Sequence, residues 1–105
     1  METWKDARFD AFYYDAKADT DEPCEVILND SELTVSYWDE DINGYAIYKG
    51  KEVASGHFEL TAPMVNGRAT LHRLPEALLP VGSWEENGER GMWRITLPQS
   101  ETDAA

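Results

Sequence analysis

Three features predict an all-β domain: an Asn-Gly hairpin flanked by alternating apolar residues, short apolar runs broken by turn residues, and abundant large aromatic side chains. The hairpin spans Gly82 to Leu97. A two-residue turn at Asn87-Gly88 sets Glu85 opposite Arg90, Trp84 opposite Gly91 and Gly82 opposite Trp93. Alternation then puts Trp84, Trp93, Ile95 and Leu97 on one face, and Glu85, Arg90, Met92, Arg94 and Thr96 on the other. Elsewhere, apolar runs recur about every ten residues. Four Trp, five Tyr and three Phe supply the bulk a small core needs. The expected architecture is a single small antiparallel β-sandwich or partly open barrel of about seven to eight strands joined as a meander.

Met1 to Lys17 carries two patterns. Trp4, Ala7, Ala11 and Tyr14 fall at helical spacing, whereas Phe9, Ala11 and Tyr13 alternate with Asp10, Phe12 and Tyr14. The run Phe12-Tyr13-Tyr14 favours a strand from about Arg8 to Ala16, with a helical turn as the alternative near Trp4 to Ala7. Asp15 to Pro23 has no apolar period and reads as a loop. Cys24 to Leu28 and Leu33 to Trp38 form the next hairpin; with Leu28 facing Leu33, Val26 faces Val35 and Cys24 faces Tyr37. Asp39 to Gly44 turns into Tyr45 to Tyr48, and Lys49-Gly50 reads as another turn. Lys51 to Leu60 continues as a strand with a break at Ser55-Gly56. Thr61 to Gly67 is a loop, Arg68 to Arg73 a strand, and Leu74 to Val81 a proline-bounded connection with space for one helical turn. Pairing Phe58 with Leu71 and Leu60 with Ala69 sets His57 opposite His72 and Glu59 opposite Thr70. A meander that curls through its glycines would be calycin-like in outline.

The chain reads as one domain over 1–105, with an ordered core over about 8–97 and a polar tail over 98–105. A single cysteine, no basic-then-apolar leader pattern and no apolar run near the roughly 18 residues of a membrane helix suggest a cytoplasmic protein. The net charge of −12 is uneven: 13 acidic residues face 3 basic ones from Met1 to Tyr45, a net of −10, against 8 and 6 from Ala46 onward, a net of −2. Such a field repels nucleic acid and anionic lipid and favours cations or a basic protein.

Two constellations could carry chemistry. Asp39-Glu40-Asp41-Ile42-Asn43-Gly44 matches the first half of a calcium loop, making Asp39, Asp41 and Asn43 candidate metal ligands. The position of the bidentate glutamate is Gly50, however, and the flanks read as strands, so the competing reading is a hairpin turn with acidic shoulders. The second is the only histidine pair: His57 and His72, with Glu59 and Arg68 on the same face, could bind zinc or a ligand, or exchange protons. Arg68 and Arg94 could form a small anion site, or could pair with carboxylates such as Glu59 and Glu85. Cys24 reads as a buried small hydrophobe.

No complete catalytic set is visible, which favours a small acidic non-catalytic protein-binding or regulatory module. Asp15, Asp19, Asp21, Glu22, Asp39, Glu40 and Asp41 would engage a basic protein surface, with a nucleic-acid mimic as one version. Monomer and homodimer are both compatible, the latter through edge strands guarded by Lys49 and Lys51. The rival reading is a ligand-binding barrel or metal-dependent enzyme, with Tyr13, Tyr37, Trp84 and Trp93 lining a cavity and His57, His72 and Arg68 at its mouth.

Overall fold

Each strand pairs with the one before it, and the last returns to the first. The structure, a computed structural model, describes residues 1–14 and 17–98. The strands are β1 (Glu2–Tyr13), β2 (Asp19–Asn29), β3 (Glu32–Asp39), β4 (Gly44–Ala54), β5 (His57–Ala62), β6 (Gly67–His72), β7 (Val81–Glu86) and β8 (Glu89–Thr96). They form a closed eight-stranded antiparallel barrel. The last seam runs from Arg8 opposite Thr96 to Tyr13 opposite Gly91. The all-β antiparallel barrel expected from sequence is formed, with its eight strands closing fully. Lys49 is an interior-strand residue whose amine lies 3.5 Å from Glu32.

The N-terminal ambiguity has a physical origin. β1 starts at Glu2, and its inward residues Trp4, Ala7, Phe9 and Ala11 step by three once before they step by two. Trp4 pairs with Val26 but Ala7 with Cys24, so one extra residue of β1 bulges out between them. That bulge imitates helical spacing, and no helical turn forms at Trp4 to Ala7. A second irregularity, between the Phe9–Glu22 and Ala11–Asp19 pairs, places the extra residue on β2, whose start replaces the loop expected over Asp19 to Pro23. Bulges sharpen strand twist and bend, which helps so small a sheet to close.

The hairpin registers form as expected in β7–β8, in β5–β6, and at Val26–Val35 and Leu28–Leu33 of β2–β3. Asn87 and Gly88 both take positive φ, the geometry of the tight primed turn. Lys49-Gly50, by contrast, is no turn: β4 runs straight through it. A side chain at Gly50 would collide with the Glu59 carbonyl, so the glycine marks a close approach of β5. The chain turns instead at Ser55-Gly56. After β5, Pro63–Val65 make a 3-10 turn that buries Val65.

The buried core is made of inward-facing apolar residues. No helix among the described residues is long and apolar enough to cross a membrane. One end of the interior is packed shut by Trp4, Val26, Leu33, Phe58, Leu71 and Leu97, leaving a gap of about 10 Å3. The segment after β6 covers that end. It bends at Leu74–Ala77 with Glu76 at positive φ, in place of a helical turn, and laces onto the last strand through Ile95 N–H to Pro80 and Leu97 N–H to Leu78, each 2.9 Å. Cys24 is buried, and burial pushes its thiol up to about 12. The expected tail falls largely on 99–105, outside the described residues, as does Asp15.

Candidate functional site

The other end of the barrel is open. At the end that carries the 40–43, 63–66 and 87–88 connections lies a cavity of about 270 Å3. Its walls carry six inward aromatic rings, Phe9 and Tyr13 from β1, Tyr37 from β3, Tyr48 from β4, Trp84 from β7 and Trp93 from β8, and the exposed Trp38 adds a seventh. Each of the six sits on the inward face because of strand alternation, and each supports a neighbour. Phe9 and Tyr37 lie 4.9 Å apart by ring centroid, Tyr48 and Trp93 5.6 Å, and Tyr13 meets Trp84 edge-on at 5.0 Å. The Trp93 indole N–H is fixed by the Thr70 carbonyl at 3.0 Å and that of Trp84 by the Met92 carbonyl at 3.1 Å. Tyr13, Tyr37, Trp84 and Trp93 thus line a cavity as the ligand-barrel reading required.

Glu86, the last residue of β7, shares the inward face with Trp84 and is half-buried among these rings. Tyr48 donates its hydroxyl to Glu86 Oε1 at 2.6 Å and Tyr37 to the same oxygen at 3.1 Å. Among the described residues none donates to Oε2. Burial and then the Glu86 carboxylate push both phenols up, so they stay protonated as donors. Tyr48 is itself held in place: a Cβ at Gly67 would strike its hydroxyl. Nearer solvent, Tyr13 donates to Asp19 Oδ2 at 2.5 Å, and burial, followed by Asp19, raises that phenol too.

Five more carboxylates complete the lining: Asp19, Glu22, Asp39, Glu40 and Asp41. No Lys, Arg or His lies among the described residues that line the cavity. The described members of the acidic set read from sequence therefore converge on this rim, with one exception. Asp21 turns to the outer wall, where Arg8 reaches it at 3.1 Å and its backbone N–H bonds Asp10 Oδ1 at 2.7 Å.

The Asp39 to Gly44 stretch is a hairpin turn. Asp39 pairs directly with Gly44, Asp41 N–H bonds the Asp39 carboxylate at 2.9 Å, and Asn43 N–H bonds the Glu40 carbonyl at 3.2 Å. Asp39, Asp41 and Asn43 thus belong to a tight hairpin turn. Among the described residues no three His, Cys, Asp or Glu side chains come together as a metal site.

His57 and His72 face each other as their register demands, with Nδ1 atoms 2.7 Å apart, on the outer wall. They border a separate groove of about 460 Å3 against the 74–79 segment, away from the aromatic cavity. Arg68 pairs with Glu85 at 3.3 Å and Arg94 with Asp10 at 2.7 Å, also outside, so they build no joint anion site. Glu59 lies on the same outer surface as Arg68. None of His57, Glu59, Arg68 and His72 stands at the mouth of the cavity. Sequence reasoning missed Glu86, Tyr48 and Phe9. Counting two residues on from Trp84 would have found Glu86, since it must share that face.

No protein-family model matches the chain, and neither a curated protein nor a solved structure matches it.

Proposed function

We propose that the protein is a small ligand-binding barrel that takes an organic molecule into its open aromatic end. The observation that carries this reading is the cavity itself: about 270 Å3 walled by six inward rings, in a barrel whose opposite end is filled. Rings left facing a water-accessible opening forgo the burial that a filled end would give, roughly 25 cal/mol per Å2 of apolar surface. The cavity is just below the roughly 300–1,000 Å3 of common small-molecule sites, so the ligand is compact. Rings supply apolar area without added flexibility, and a few polar groups among them fix orientation. The acidic rim, which in isolation suggests a protein-docking face, is here the doorway to that cavity.

The test is a titration of small amphiphilic molecules followed by amide NMR. Shifts should cluster at Phe9, Tyr37, Tyr48, Trp84, Glu86 and Trp93. Ala11, a buried lining residue, offers the control: Ala11→Phe should fill the cavity and abolish the shifts while the barrel stays folded. Shifts confined to the outer wall would sink the proposal.

A further inference from the structure

We infer that the ligand is a small organic ammonium cation, its charge seated against Glu86 and its apolar body among the rings. This deepens the binding-barrel reading and rests on it.

Three independent properties of the cavity converge. Glu86 is a half-buried carboxylate clamped through one oxygen by Tyr37 and Tyr48, so its position is fixed before any ligand arrives. Both phenols are held as donors, and a carboxylate accepts several bonds at once, so Oε2 is left to accept from a ligand N–H. Around it stand the rings of Tyr37, Tyr48, Trp84 and Trp93, whose π faces attract a cation and not an anion. Finally, the rim adds five carboxylates without a single basic side chain among the described lining residues, which concentrates cations at the opening and turns anions away.

A bare metal ion fits this cavity poorly. Calcium needs six to eight converging oxygens, whereas the carboxylates here are spread around the cavity and no cluster of three ligating side chains exists among the described residues. An alkyl- or arylammonium ion uses both halves of the site. A cationic side chain of a partner protein shares that chemistry, and the experiment separates the two sources.

Benzylammonium, its neutral counterpart benzyl alcohol, benzoate and a lysine-containing tripeptide would be titrated into the full chain, read by tryptophan fluorescence and amide NMR. Benzylammonium should bind about tenfold or more tightly than benzyl alcohol, and benzoate not at all. Glu86→Gln keeps an acceptor for the two phenols but lacks the charge; it should erase the preference for the cation while leaving weak binding of benzyl alcohol. The rim variant Asp39→Asn, which does not touch Glu86, should weaken benzylammonium by about two- to threefold and reduce its salt dependence. Equal binding of benzylammonium and benzyl alcohol would overturn the cation assignment yet keep the ligand barrel. A response to the lysine peptide alone would also overturn it. Silence from every probe at the cavity would remove the binding-barrel reading as well.

Discussion

The two ends of the barrel are built from the same alternating strands but to different standards. At the closed end, Trp4, Val26, Leu33, Leu71 and Leu97 leave a gap of about 10 Å3, and the 74–80 segment is stitched over it. At the open end, the same inward positions carry Tyr13, Tyr37, Tyr48, Trp84 and Glu86 around about 270 Å3. Aliphatic side chains pack to crystal-like density and stabilise by burial; hydroxyls and a carboxylate among rings do neither well. The difference separates what holds the fold from what can hold a ligand.

If that division is correct, truncation at the two ends should have opposite signatures. Leu71→Ala, at the closed end, should cost about 3 kcal/mol in urea unfolding and leave ligand affinity unchanged. A loss of ligand binding in the folded variant would blur the distinction. Gly67→Ala should cost about 1–3 kcal/mol, because the new methyl displaces the Tyr48 hydroxyl; unlike Leu71→Ala, it should also disturb Glu86 and thus binding. Tyr37→Phe should cost about 1 kcal/mol or less while altering binding, since it removes one clamp on a half-buried carboxylate and keeps the ring.

A similarly small effect lies on neither end but on the seam. Asp10 accepts from Arg94 of β8 at 2.7 Å and from the Asp21 amide of β2 at 2.7 Å, so one carboxylate ties three strands. The Arg94 hydrogen bond, then the Asp21 amide, hold its carboxyl below the ordinary value. A lowered folded value contributes stability that is fully present above the unfolded value of about 3.9 and is lost as pH falls through the folded one. Asp10→Asn should therefore lower stability by about 1 kcal/mol at pH 7, with the gap to wild type closing in acid. An equal gap at pH 2 would assign the loss to packing.

Much of this fold was legible because hairpin registers are local. Asn87-Gly88 alone fixes β7–β8, and apolar matching fixes Phe58 against Leu71, which carries His57 to His72. What stayed hidden depends on the sheet as a whole. The bulge after Trp4 breaks the alternation that a sequence reader relies on, so a strand resembled a helix. Gly50 resembled a turn because sequence shows its missing side chain but not the Glu59 carbonyl that lies against it. The site was half legible: phase alone put Tyr13, Tyr37, Trp84 and Trp93 inside. Which acidic residues would share the rim depended on barrel closure, and the histidine pair drew attention to the outer wall.

The central claim is that the polar groups of the open end serve a ligand and not the fold. The most direct measurement is urea unfolding of Glu86→Gln beside wild type, paired with a benzylammonium titration of both proteins. The account predicts stabilities within about 1 kcal/mol and loss of the cation preference, because the amide still accepts from Tyr37 and Tyr48 but carries no charge. A variant several kcal/mol less stable that still prefers the cation would contradict it, and would make Glu86 a structural strut.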